Sequence, residues 1–165
     1  MVNKLDNAKY AITNLGAILF AKDLSKFNNL KRKAIRVIQY KDNTKFQTTK
    51  EIVGNKGYAV GFEGLIEYIN NMLPSNEVIK QAFRENKTMY PELSIREIVA
   101  NAIIHQDFFA TGSSVMIEIF ANRFEVTNPG TPLVDTERFL DSPPKSRNEA
   151  IASFLHSAKL PLSYL

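Results

Sequence analysis

Residues 94–108, SIREIVANAIIHQDF, read as a helix with too little polar surface to stand in water, and a helix that must be buried dictates layers around it. Ile95, Ile98, Val99, Ala100, Ala102, Ile103 and Ile104 cover most of its circumference. Glu97, Asn101 and His105 stand at i, i+4 and i+8, a spacing that drifts by only about 40° per step, so they form one polar stripe. A carboxylate, an amide and an imidazole aligned on a buried helix are costly unless paired or bound to something. The set suits holding a metal ion and activating a water. A second reading needs no chemistry. Ser94-x-x-Glu97 fits a capping box, Asn101 can bond a neighbouring loop, and His105 near the helix C-terminus favours the dipole. Spacing alone leaves both readings open.

The rest of the chain alternates helix and strand signals. Thr13 or Asn14 caps a short helix over NLGAILFAK, weakened by Gly16. Residues 33–41 alternate as a strand, with Ile35 and Val37 on one side and Arg36 and Ile38 on the other. Gly54, Gly57, Gly61 and Gly64 punctuate residues 54–64 and mark the best candidate boundary. A helix over 62–72, with Leu65, Ile66 and Ile69 on one face, ends before Pro74. Residues 76–88 admit strand or helix. Gly112 opens a hairpin in which Val115, Ile117 and Ile119 share a face, and Ala121-Asn122 form the turn. Phe124, Val126 and Asn128 share the alternation of the return strand, so Asn128 is drawn toward the central helix if the two apolar residues face the core. Pro143-Pro144 breaks the chain, and Ser146-x-x-Glu149 caps a last helix that packs through Ile151, Phe154 and Leu155.

Tyr90-Pro91, Arg96-Glu97, Asn101-Ala102, His105-Gln106-Asp107-Phe108 and Asn128-Pro129-Gly130 follow one another in this order. Together they resemble the nucleotide-binding domain of the GHKL ATPases, the group with gyrase, chaperone and histidine-kinase ATP sites. The likeness is closer to a divergent bacterial branch found in transcriptional regulators and helicase-related proteins, and it spans about residues 60–157. It implies ATP and Mg²⁺ as cofactors. Glu97 would polarise the attacking water, and Asn101 would hold the magnesium, for which an amide oxygen is a suitably hard ligand. His105 falls among the cofactor-binding positions. Asn128 stands where the wider group has an Asp that reads the adenine amino group, and Gly130 would let the backbone approach the ligand. The resemblance also places a strand within 76–88. Two residues depart from the branch: Gln106 stands for its Arg and Phe108 for its Tyr. GHKL sites close over the phosphates with a further glycine-rich segment, whereas residues 113–165 contain one glycine, Gly130. The resemblance therefore implies a fragment short of that segment and of the Schlafen/Alba-type DNA-binding domain that precedes this region in the branch.

Charge is unevenly spread. Residues 1–60 carry 12 Lys+Arg against 4 Asp+Glu, a balance of +8, and residues 61–165 carry 9 against 13, a balance of −4. Lys31, Arg32, Lys33 and Arg36 are the candidate nucleic-acid contacts, with a solvated lysine-rich surface as the other reading. The absence of cysteine excludes disulfides and thiolate zinc sites and fits a cytoplasmic protein. No apolar run approaches the roughly 18 residues of a membrane span. The expectation is an α+β fold: a GHKL-like two-layer sandwich, with a mixed or antiparallel sheet and helices on one face, over residues 61–165, joined to a small basic linking segment over 1–60. The expected function is an ATP-binding, ATP-hydrolysing module of a DNA-binding regulator or helicase-related protein, with DNA and a second copy of the chain as partners. The alternative is a degenerate domain that binds no nucleotide and serves dimerisation or interaction.

Overall fold

The computed structural model describes residues 1–4, 9–80, 83–135, 137, 141, 143 and 145–157, with the backbone alone for 75–80 and 83–88. Pro144 and the segment after Ser157 lie outside the described residues. In chain order the first half holds β1 (Val2–Lys4), β2 (Tyr10–Ile12), α1 (Asn14–Phe20), β3 (Arg36–Tyr40), β4 (Thr48–Val53) and α2 (Tyr58–Met72). The second half holds β5 (Ser75–Lys80), β6 (Phe83–Thr88), α3 (Glu92–His105), β7 (Met116–Ile119), β8 (Phe124–Thr127) and α4 (Glu149–Ser157). The fold is α+β. Its main sheet runs β4-β3-β7-β8, and β1-β2 and β5-β6 form two separate hairpins. β3 pairs antiparallel with β4 and parallel with β7, with Val37 opposite Ile117. The strands on either side of the glycine-rich stretch thus share one sheet. Among the described residues, no helix is long and apolar enough to cross a membrane.

All four helices pack on one face of that sheet. Ile18 and Leu19 of α1, Phe62 and Ile66 of α2, Val99 and Ile103 of α3, and Leu155 of α4 form one buried cluster with Val37, Ile117 and Ile119. The opposite face of β7 is buried as well, which simple alternation does not foresee: Glu118 and Phe120 are both covered. The end of β3 and the β3–β4 loop supply the cover. Tyr40 stacks on Phe120 at 4.7 Å, its hydroxyl donates to Glu118 Oε1 at 2.9 Å, and Lys45 Nζ reaches Glu118 Oε2 at 2.8 Å.

α1 begins as its sequence directs, with Thr13 Oγ1 accepting from the Gly16 N–H at 3.0 Å. α2 begins four residues before the expected start, so Gly61 joins Gly64 inside the helix. The glycine just ahead of it is there for close packing. The Gly57 N–H donates to the Ala21 carbonyl at 2.8 Å, and a Cβ at Gly57 would come within 2.6 Å of the Leu19 carbonyl oxygen. Gly57→Ala is therefore expected to cost about 1–3 kcal/mol through forced separation of α1 and α2. Urea melts of the two proteins would show this as a lower midpoint, and an unchanged midpoint would mean that the two helix ends can slide apart freely.

Candidate functional site

α3 starts at Glu92 behind Pro91, with no side-chain cap. Ser94 is thus already inside the first turn, and the capping-box reading of Ser94 and Glu97 fails because the helix begins three residues too early for it. One side of α3 is buried through Ile95, Val99, Ala102, Ile103 and Ile104, but Leu93 and Ile98 are 52% and 44% exposed. The helix is therefore covered on one side rather than all round, and Glu97, Asn101 and His105 sit half-buried. Arg96, next to this stripe, pins α3 to α2: it pairs with Glu63, reaches Glu92 at 3.4 Å and lies 5.5 Å above the Phe62 ring. Asn101 Oδ1 is sealed from solvent and has no hydrogen-bond partner. Such an orphaned acceptor costs about 1–3 kcal/mol, a debt that a donor or a hard cation would settle. Among the described residues, no cluster of three Asp, Glu, His or Cys could hold a metal by itself.

The carboxyl end of α3 is where the chain converges. Gln106 Nε2 donates to the Ile103 carbonyl at 3.1 Å, and Asn148 Nδ2 to the Ile104 and Gln106 carbonyls at 2.7 Å each. Arg147 Nε donates to the His105 carbonyl at 3.2 Å, and its Nη2 donates to the Thr131 carbonyl. The Asp107 N–H donates to the Pro129 carbonyl at 2.7 Å. These bonds lay the Asn128-Pro129-Gly130 loop across the helix end. Gly130 has φ +117°, a conformation only glycine adopts readily, and a Cβ there would come within 3.0 Å of Asp107 Cβ.

A pocket of about 300 Å³ opens beside this loop, lined by His105, Asn128, Gly130, Thr131, Lys145 and Arg147 with three apolar neighbours. Among the described residues it presents two cations and no carboxylate, so it favours an anionic guest. Burial, and then the charge of Arg147, hold the His105 imidazole below its ordinary pKa. Of the expected site residues, His105, Asn128 and Gly130 meet in this pocket, whereas Glu97 and Asn101 do not line it. They lie one and two turns back along α3, which packs on β8.

Three residues at this junction carry more than their sequence signals suggest. Gln106 is fully buried, and its Oε1 lies 3.2 Å from the Tyr58 hydroxyl, which donates to the Lys33 carbonyl at 2.7 Å. Arg147 and Asn148 hold the end of α3. The signal for them was Ser146-x-x-Glu149, read as a cap, but Ser146 Oγ has no partner and α4 starts only at Glu149. The Asn148 carbonyl is the first acceptor of α4, taking the Ile151 and Ala152 N–H groups at 3.0 and 2.9 Å. An Asn in that position reads as an N-cap, which conceals that its side chain serves another helix.

The basic candidates separate in space. Lys31 and Arg32 are exposed. Lys33 is buried, with Nζ donating to the Ala110 and Asp107 carbonyls at 2.5 and 3.3 Å, and burial lowers its pKa against the pull of Asp107. Arg36 pairs with Glu51 at 2.6 Å on the surface.

Comparison with curated proteins gives no match. The fold is similar to the crystal structure of the DIP2311 protein from Corynebacterium diphtheriae, with a TM-score of 0.72 and 22% identity over 96% of this chain. The chain spans 31% of that protein's length, and at this identity the likeness is one of fold. Residues 112–161, which contain β7, β8, the Asn128-Pro129-Gly130 loop and α4, match the family model described as "Putative ATP-dependent DNA helicase recG C-terminal". That stretch is accordingly similar to an ATPase-like domain of helicase-related proteins.

Proposed function

We propose that this chain is the nucleotide-binding part of an ATPase-like module in a DNA-associated, helicase-related regulator. The observation that carries the reading is the pocket at the end of α3. Its lining of His105, Asn128, Gly130, Lys145 and Arg147 combines an amide acceptor, a glycine that permits close approach and two cations, with no carboxylate among the described residues. Within this reading the Asn128 carbonyl accepts from an adenine amino group, and Lys145 and Arg147 face phosphate. The orphaned Asn101 Oδ1 fits a magnesium ligand, and the lack of any acidic cluster among the described residues means that phosphates and waters would supply the remaining ligands. Glu97 would polarise the attacking water. One observation favours the second reading, a related domain that binds no nucleotide and serves as an interaction or dimerisation module: Glu97 and Asn101 stand outside the lining that holds Asn128.

Calorimetric titration with ATP and Mg²⁺ separates the two. These 165 residues are expected to bind with a dissociation constant weaker than micromolar, that is, less favourable than about −8 kcal/mol. Lys145 and an Arg147 already bonded to two carbonyls are a poor substitute for a fixed cradle of backbone N–H groups. Asn128→Ala should abolish the residual heat. Heat that is absent in the parent even at millimolar ATP would favour the interaction module.

DNA contact through the basic segment belongs to the same proposal. Weak binding that falls steeply between about 50 and 200 mM salt is expected. Replacing Lys31 and Arg32 with Ala should flatten the salt dependence by up to about two phosphate contacts. Lys33 should add nothing, since its ammonium is already engaged. If no DNA is retained at low salt, the segment is simply solvated charge.

A further inference from the structure

We infer that Arg147 and Asn148 are positioning residues of this site, a clasp that holds the Asn128-Pro129-Gly130 loop against α3 and ties its geometry to the docking of α4. The inference rests on the proposed reading only for what the loop binds. The clasp itself follows from the bonds.

The last carbonyls of a helix need partners, and a left-handed glycine after the helix usually arranges them locally. α3 has no such residue: Gln106 follows it with φ −63° and ψ 147°, an extended conformation. Side chains take over. Gln106 serves Ile103, and the other donors come from 42 to 44 residues away. Asn148 Nδ2 has two hydrogens, and both are used, on the Ile104 carbonyl of α3 and on the Gln106 carbonyl just after it. Arg147 spans the junction, with Nε on the His105 carbonyl and Nη2 on the Thr131 carbonyl. The bond from the Asp107 N–H to the Pro129 carbonyl lies on the other side of Gly130, so the glycine is bracketed between two fastenings. Its would-be Cβ position is 3.6 Å from Arg147 Cζ.

Asn148 also links the two helices directly. Its side chain belongs to the end of α3 and its carbonyl to the first turn of α4. α4 is anchored through Ile151 and Leu155, both buried. Undocking α4 therefore withdraws donors from α3 and, through Arg147, from the loop. With two of its five N–H groups committed to carbonyls, Arg147 keeps both hydrogens of Nη1 and one of Nη2 for a ligand, but its position is fixed by the two bonds. Its main effect is on where the loop stands.

The test is residue-resolved hydrogen exchange and amide chemical shift on the whole 165-residue chain, without ligand. Arg147→Gln and Asn148→Asp are each expected to speed exchange of the Asp107 amide by about tenfold or more, while Val37 and Ile117 in the sheet stay within about twofold. The resonances of Asn128, Gly130 and Thr131 should move in both variants. Arg147→Lys keeps the charge but cannot bridge two carbonyls, so its effect should fall between parent and Gln. If Arg147→Gln does not fold, Arg147→Lys decides. Leu155→Ala, which loosens α4 from a distance, should also speed Asp107 exchange. The clasp is refuted if Asp107 exchanges at the parent rate in the folded variants, or if Val37 and Ile117 accelerate equally. A separate titration of the parent with ATP and Mg²⁺ tests the ligand: silence at Asn128 and Gly130 counts against the nucleotide reading and leaves the exchange result intact.

Discussion

Lys33→Ala is expected to lower the stability of the folded chain by about 2–4 kcal/mol, the largest effect among the candidate nucleic-acid contacts. The ammonium donates to the Ala110 and Asp107 carbonyls across more than 70 residues of chain, and alanine would leave both acceptors without that donor. The loss also removes the tie between the basic segment and the loop that follows α3. Arg32→Ala, on an exposed side chain one residue away, should change stability by less than about 0.5 kcal/mol. Lys33→Met separates packing from charge: it keeps the stem, so a cost close to that of Ala assigns the effect to the two carbonyl bonds. Urea unfolding of the three variants measures it, and a Lys33→Ala midpoint equal to that of the parent would show that the ammonium is not held as described.

Glu97→Gln carries the largest expected effect on chemistry. In a form of the protein that hydrolyses ATP, it should keep nucleotide binding and lose turnover by about 10²–10⁴-fold, the usual penalty for removing a positioned base. Asn101→Asp should chiefly alter the magnesium dependence, and Asn101→Ala should raise stability slightly by removing the orphaned Oδ1 while weakening magnesium binding. Single-turnover hydrolysis set beside equilibrium binding distinguishes these outcomes. Turnover at the parent rate in Glu97→Gln would leave Glu97 as a half-buried polar residue of α3 and nothing more.

Much of this was legible in the residues themselves, wherever the signal was local. Thr13 capping α1, the alternation of Val115, Ile117 and Ile119, the Ala121-Asn122 turn and the Ile151 and Leu155 face of α4 all depend on neighbours within a few positions. Periodicity and capping act over that range, so sequence suffices for them. Alternation drew Asn128 toward α3 on the condition that Phe124 and Val126 face the core, and Asn128 lines a pocket with His105 of that helix. Spacing put Glu97, Asn101 and His105 on one stripe, but their half-burial was decided by packing. The tertiary structure decided what no local pattern encodes. The glycines of residues 54–64 read as a boundary, yet Gly57 is required by a backbone contact with α1 and the next two lie within α2. Lys33 reads as one of four candidate nucleic-acid contacts, yet its ammonium is used on carbonyls far along the chain. Ser146-x-x-Glu149 reads as the cap of the last helix, yet the side chain that matters there is Asn148, whose amide closes a different helix. In each case the deciding partner is distant in sequence. A side chain's local signal reports what its neighbours permit, and its role is set by whichever unsatisfied donor or acceptor the fold brings against it.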